Sequence, residues 1–190
     1  TRDTLNMITQ NIQNVGDEIL SSPGSLAWLF YLTSCSVRVL MNNVSEENAE
    51  AIADFIGTVT NIAVRREENG SCEDVEIAAL HFFSAVHSVF VTSRMSVHAT
   101  KIVEHVFENK AKLFQVVIEN VGANMLRDAT DSPKLVRESI ELIGEACRDA
   151  TPSLIRELKF GLPPVVELSL SQTRETYKLR TPLHATLWAI

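Results

Sequence analysis

The sequence predicts an all-α fold: a right-handed α-solenoid of about eight to ten helices, stacked as antiparallel pairs. Three observations predict it. Apolar residues recur at three- and four-residue steps through most of the chain. No stretch shows sustained two-residue alternation bounded by hairpin turns, which a β-sheet would need. The helical segments are separated by short polar stretches, as stacked helix pairs require.

The first two predicted helices differ in polarity. Residues 4–20 carry one apolar stripe, and the Ser-Ser-Pro-Gly run at 21–24 is expected to end that helix. Residues 25–41 are nearly apolar, with Arg38 as the one charge. That run is shorter than the roughly 18–20 residues that span a bilayer. It predicts a helix buried on most sides, and no membrane insertion.

The next two helices are predicted from clear apolar faces. Ser45 is the expected N-cap of a helix that ends near Arg65-Arg66. The inner face of this helix is predicted to be Ala49, Ile52, Ala53, Ile56, Val59, Ile62 and Ala63. After a polar loop around Asn69-Gly70, a core helix is predicted to bury Val75, Ala79, Phe82, Phe83, Val86, Val89 and Phe90.

The following pair is predicted around a break at Asn109-Lys110. Before the break, Ser96 is the expected N-cap, and the predicted inner residues are Val97, Ile102, Val103, Val106 and Phe107. After it, a helix is predicted to bury Leu113, Phe114, Val117, Ile118, Val121 and Leu126.

The clearest helix in the sequence is predicted over residues 132–147. Ser132 is the predicted N-cap and Pro133 the first helical residue, where the missing N–H does no harm. The predicted apolar stripe is Leu135, Val136, Ile140, Ile143, Ala146 and Cys147. Beyond it, Thr151-Pro152 starts a short helix, and Pro163-Pro164 breaks the chain.

Part of this motif returns near the end of the chain. Leu179-Arg180 lies 43 residues after Val136-Arg137 and is again followed by apolar residues, although Pro182 stands where the first copy has Ser139. Helix-pair repeats have periods of roughly 40–47 residues. The spacing therefore favours a tandem repeat.

The run from Ser132 to Ala146 resembles the second helix of a HEAT repeat. The matching features are Pro133, Val136-Arg137, Ser139, Leu142-Ile143 and Gly144. The resemblance implies a HEAT/armadillo-like solenoid that binds other macromolecules along a curved surface. It also implies that Arg137 and Arg180 stabilise neighbouring repeats. We expect residues 1–190 to form one helical-repeat domain cut from a longer chain, with an apolar end at Trp188 that suits a repeat neighbour or self-association.

Composition narrows the partners. A net charge of −7 disfavours nucleic acid and anionic membranes, and it suits a protein with a basic segment. Three cysteines without metal-type spacing favour a reducing compartment, the cytoplasm or nucleus. Although His81, His87, His98 and His105 lie near one another in sequence, we expect them at ordinary helix positions. We find no catalytic, metal-binding or phosphate-binding motif, and so expect neither an enzyme nor a cofactor.

The best candidate for a partner site in the sequence is an acidic row, Glu138, Glu141 and Glu145, beside the apolar stripe. The competing interpretation is an ordinary solvated face on which Arg137 pairs with Glu141. The sequence thus predicts a non-enzymatic interaction scaffold or adaptor. The alternatives are a compact helical bundle that regulates a small GTPase or another switch protein and, from the resemblance, a segment of an importin-β-like transport receptor.

Overall fold

The computed structural model describes residues 2–66, 72–92, 97–122, 124 and 132–149. The described part of the chain contains helices and no strand, which confirms the all-α prediction. Its α-helices are α1 (Arg2–Asn14), α2 (Gly16–Ser21), α3 (Pro23–Asn42), α4 (Ala49–Arg65), α5 (Glu73–His87), α6 (Val97–Phe107), α7 (Lys110–Gly122) and α8 (Pro133–Asp149). A π-helical turn, Ser88–Thr92, continues α5.

The chain divides into two compact units, Thr1–Leu113 and Phe114–Ile190. The prediction of a single repeat domain over the whole chain stays a prediction. So do the second repeat copy at Leu179-Arg180, the short helix after Thr151-Pro152 and the apolar end at Trp188, all of which lie outside the described residues.

In the first unit, alternate helices pack side by side. Helix α1 packs on α4 and α4 packs on α6, while α3 packs on α5. Helix α2 is a short element that contacts both α1 and α3. Aromatic rings join α3 to α5, with the ring centroids of Phe30 and Phe82 6.1 Å apart. The helices of this unit therefore form two rows, α1-α4-α6 and α3-α5.

Two predicted helix boundaries are wrong. The first helix, predicted over residues 4–20, is interrupted at Val15. The next residue is Gly16, and glycine costs helix stability. Ser45 was predicted to cap the helix that corresponds to α4. That helix starts at Ala49, with Asn48 at the N-cap position. Instead, the backbone N–H of Ser45 donates to Oδ1 of Asn48 at 2.7 Å, which closes a turn before the helix.

Helix α3 differs most from the prediction. It was expected to be buried on most sides, but only 22% of its most apolar window is buried. The buried residues form one stripe, consisting of Leu26, Phe30, Thr33, Val37 and Met41. Among the described helices, α3 alone has the length and composition to cross a membrane, a test that core helices and signal sequences also pass. The absence of membrane insertion stays a prediction.

The predicted inner faces of α4 and α5 are confirmed except at their edges. Ala49 and Val89 are half-buried, and the remaining members of both faces are buried. On α6, Val97 was predicted to face inward but is 72% exposed. It is the first residue of the helix.

The break between α6 and α7 falls where it was predicted. Glu108 has a φ of 66°, a left-handed conformation that ends α6. Asn109 then caps α7, since its Oδ1 accepts the backbone N–H of Lys112 at 2.8 Å.

Helix α8, in the second unit, begins at Pro133 as predicted. The described members of its predicted apolar stripe are buried: Leu135, Val136, Ile140, Ile143 and Ala146. Leu142 and Ser139 are buried as well, so the packed face is wider than predicted. Of the residues that carry the HEAT resemblance, Val136 and Gly144 are buried and Pro133 and Arg137 are exposed.

Candidate functional site

The acidic row predicted from the sequence lies on α8, and two of its carboxylates have basic neighbours on the same helix. Nε of Arg137 lies 3.0 Å from Oε1 of Glu141, and Nζ of Lys134 lies 3.9 Å from Oε1 of Glu138. Glu145 is exposed. The pairing of Arg137 with Glu141 is the arrangement expected of a solvated face. The acidic row stays a prediction as a partner site.

A second feature, not foreseen from the sequence, is an apolar stripe on the side of α3 opposite its buried stripe. This outer stripe consists of Trp28, Leu32, Cys35 and Val39. Trp28 is 68% exposed, Leu32 59% and Val39 61%, and Cys35 is also exposed. Scattered apolar residues are normal on a surface, but a continuous stripe that includes tryptophan is typical of an interaction site.

The spacing in the outer stripe is that of a helix-packing seam. Its residues alternate steps of four and three, which is the a/d pattern of a coiled coil. The charged side chain nearest to it along α3, Arg38, has a hydrogen-bonding partner: its Nη2 lies 3.5 Å from Oγ of Ser88. At the N-terminal end of the stripe, Trp28 borders a cavity of about 490 Å³, whose lining includes Pro23, Ala27, Tyr31, Cys72 and Asp74. The outer stripe therefore lies next to a cavity at its N-terminal end.

A third feature is a polar cleft between α1 and α4, with a volume of about 340 Å³. Its lining includes Arg2, Asn6, Thr9 and Gln10 from α1, and Glu50 and Asp54 from α4. An ion pair between Arg2 and Glu50, at 3.6 Å, lies at one end. Asp54 also contacts Nε2 of His105 on α6 at 3.3 Å. The cleft therefore combines carboxylates, amides and one guanidinium.

The histidines do not form a site with one another in the described residues. His81 lies against the ring of Tyr31, with the ring centroids 5.4 Å apart, while His105 contacts Asp54. Within the described ranges, no three histidine, cysteine or acidic side chains come close enough to hold a metal ion.

Comparison with protein-family models, curated proteins and solved structures finds no match for this chain. The surfaces described above are therefore the basis for a functional proposal.

Proposed function

We propose that this chain is a non-enzymatic interaction scaffold of the HEAT/armadillo-like kind, which binds a partner protein through an exposed helical surface. The observation that carries the proposal is the outer stripe of α3. Packing of α1 on α4, of α4 on α6 and of α3 on α5 supports the repeat architecture, because a solenoid places equivalent helices of successive pairs side by side.

The occupant of the outer stripe is an amphipathic helix of the partner protein. A narrow seam with a/d spacing accepts one helix, whose apolar side chains fit between those of the stripe. The seam from Trp28 to Val39 is about 16 Å long at 1.5 Å per residue, which matches three turns of a partner helix. Trp28, beside its cavity, is the expected hot spot, because interface energy concentrates at aromatic side chains in pockets.

Burial of this seam supplies a useful amount of binding energy. Fully burying a side chain such as leucine or valine contributes about 1.5–3 kcal/mol relative to leaving it exposed. Trp28, Leu32 and Val39 begin more than half exposed, so most of this contribution is still available for binding.

The test starts by placing a photo-crosslinking amino acid at position 32 of the full chain in cells, with the same label at Val64 as control. Val64 is an exposed apolar residue on α4. The protein captured from position 32 is then purified, and its Kd is measured for the native chain, Leu32→Glu and Val64→Glu. We expect Leu32→Glu to weaken binding at least about tenfold, and Val64→Glu to leave it unchanged.

Equal binding by the native chain and Leu32→Glu would overturn the proposed site. If the label at position 32 captures only a second copy of this chain, the outer stripe is a self-association surface and not a site for another protein.

The repeat architecture has a separate test. A compact chain of 190 residues has a radius of gyration of about 16 Å. We expect small-angle X-ray scattering to give a larger value for a solenoid. A value near 16 Å would favour the compact regulator of a switch protein.

A further inference from the structure

The polar cleft between α1 and α4 contains hydrogen-bonding groups that the described part of the protein does not use. On the α1 side, the side-chain amides of Asn6 and Gln10 lie four residues apart and so project from the same side of the helix. Neither amide has a hydrogen-bond partner among the described residues. An amide group offers both a donor and an acceptor, as an extended peptide backbone requires.

Thr9 provides an independent indication that the cleft takes a ligand. It lines the cleft and is only 5% exposed, yet its hydroxyl has no hydrogen-bond partner among the described residues. Buried polar groups are normally paired, and a native exception calls for an explanation such as a bound molecule or ion.

The charged side chains of the cleft favour a positively charged ligand. Glu50 and Asp54 lie one turn apart on α4, and the lining carries two carboxylates against the single guanidinium of Arg2. Asp54 also lies 3.3 Å from Nε2 of His105 on α6, and both of these side chains are at least half exposed. Within the described ranges, Arg2 pairs with Glu50, at 3.6 Å, and both side chains are more than half exposed. Because this pair is long and solvated, an incoming cation can replace Arg2 at little cost.

We propose that the polar cleft binds the ammonium or guanidinium group of a lysine or arginine side chain in an extended segment of a partner protein. Glu50 and Asp54 receive the cation, and Asn6 and Gln10 pair with the backbone beside it. This inference rests on the proposed function in that the partner is a protein, but it uses a surface distinct from the outer stripe of α3. The net charge of −7 favours a partner with a basic segment, and the polar cleft is the proposed binding site for that segment.

The probe is the blocked tripeptide acetyl-Ala-Lys-Ala-amide, titrated into the isotope-labelled full chain. The readout is the NMR signals of the Asn6 and Gln10 side-chain amides, which no purely electrostatic attraction to a distant surface would shift. The norleucine analogue of the peptide, which lacks the charge, serves as the ligand control. Spermidine carries ammonium groups on a small molecule. Its titration shows whether the cleft binds a lysine within a peptide or a free polyamine.

Two substitutions move the affinity in opposite directions. Asp54→Asn removes a carboxylate and is expected to weaken lysine-peptide binding about three- to fivefold, as for a partly exposed charge pair. Arg2→Gln removes the competing cation and is expected to strengthen it by a similar factor. Asp17→Asn is the matched control, because Asp17 is an exposed carboxylate of the same unit, paired with Arg65 at 3.3 Å. We expect it to have no effect.

The proposal is overturned if the lysine peptide at millimolar concentration leaves both amide signals unmoved. It is equally overturned if the norleucine peptide binds as well as the lysine peptide, or if spermidine binds and the peptide does not. None of these results depends on Leu32, so the proposal for the cleft and the proposal for the outer stripe are tested independently.

Discussion

Arg66 and Glu76 form an ion pair that is closed to solvent, with side-chain exposures of 1% and 0%. Nη2 of Arg66 lies 2.8 Å from Oε2 of Glu76, and Nε lies 3.1 Å from Oε1. The guanidinium also donates to the carbonyl of Ala63 and lies 5.8 Å from the ring centroid of Phe83. The pair therefore fastens the C-terminal end of α4 to the first turns of α5.

Replacing Glu76 with glutamine should strongly destabilise the first unit. Glutamine keeps the size of the side chain but removes the negative charge that faces the buried guanidinium. Breaking a buried pair by removing one partner costs about 3–5 kcal/mol. We expect a loss of this size in the free energy of unfolding, measured by urea denaturation followed by circular dichroism.

The matched control neutralises a carboxylate in an exposed pair. Asp17→Asn breaks the contact with Arg65, in which the side chains are 91% and 51% exposed. It should cost no more than about 1 kcal/mol. Replacing both buried partners, as Arg66→Met with Glu76→Leu, should recover much of the loss from Glu76→Gln, because both charges of the pair are then removed from the interior. A loss below about 1 kcal/mol for Glu76→Gln would contradict the buried pair.

The two stripes of α3 should respond differently to the same substitution. Leu26 lies on the buried stripe at 3% exposure, and Leu32 lies on the outer stripe. Leu26→Ala should cost about 2–5 kcal/mol, through lost burial and a cavity. Leu32→Ala should change the free energy of unfolding by no more than about 0.5 kcal/mol, as is usual at a surface. Urea denaturation of the isolated chain measures both values, and equal losses would mean that Leu32 is packed in solution.

Glu108 offers a way to stabilise the protein by removing a side chain. Its left-handed φ of 66° is costly for any residue with a Cβ and ordinary for glycine. The left-handed conformation costs roughly 1–2 kcal/mol for a residue with a Cβ, and the larger chain entropy that glycine loses on folding offsets part of the gain. Glu108→Gly should therefore stabilise the chain by about 0.5–1 kcal/mol. Glu104→Gly is the control, since Glu104 is exposed within α6, where glycine should cost about 1 kcal/mol. Thermal unfolding should move in opposite directions for the two variants, and a lower Tm for Glu108→Gly would contradict the prediction.

The fold was predictable wherever one face of a helix is apolar and the other polar. This holds for α4 and α8, whose inner faces follow directly from the spacing of their apolar residues. It fails for α3, since an apolar pattern all around a helix does not say which side a neighbour covers. Here α5 covers the side of Phe30, and Trp28 faces outward.

The candidate sites depend on tertiary contacts that the pattern does not contain. Asn6 and Gln10 look like any solvated helix face until α4 brings Glu50 and Asp54 opposite them. The sequence pattern places Arg66 near the end of a helix, and nothing in that segment shows that its side chain pairs with Glu76, ten residues later. Only the acidic row, whose members lie on one helix, was visible in the sequence.

The hydroxyl of Ser139 is a buried polar group in α8. The residue is 0% exposed, and its Oγ has no hydrogen-bond partner among the described residues. A buried polar group left unpaired costs about 1–3 kcal/mol, so Ser139→Ala should stabilise α8 by about 1 kcal/mol. Ser36→Ala controls for helix propensity, since the Ser36 hydroxyl bonds to the carbonyl of Leu32 at 2.7 Å on a more exposed face. Native-state hydrogen exchange of the α8 amides measures the effect locally. If Ser139→Ala stabilises α8 more than Ser36→Ala stabilises α3, the gain comes from removal of the buried hydroxyl. Faster exchange in Ser139→Ala would show that this hydroxyl is hydrogen-bonded in solution.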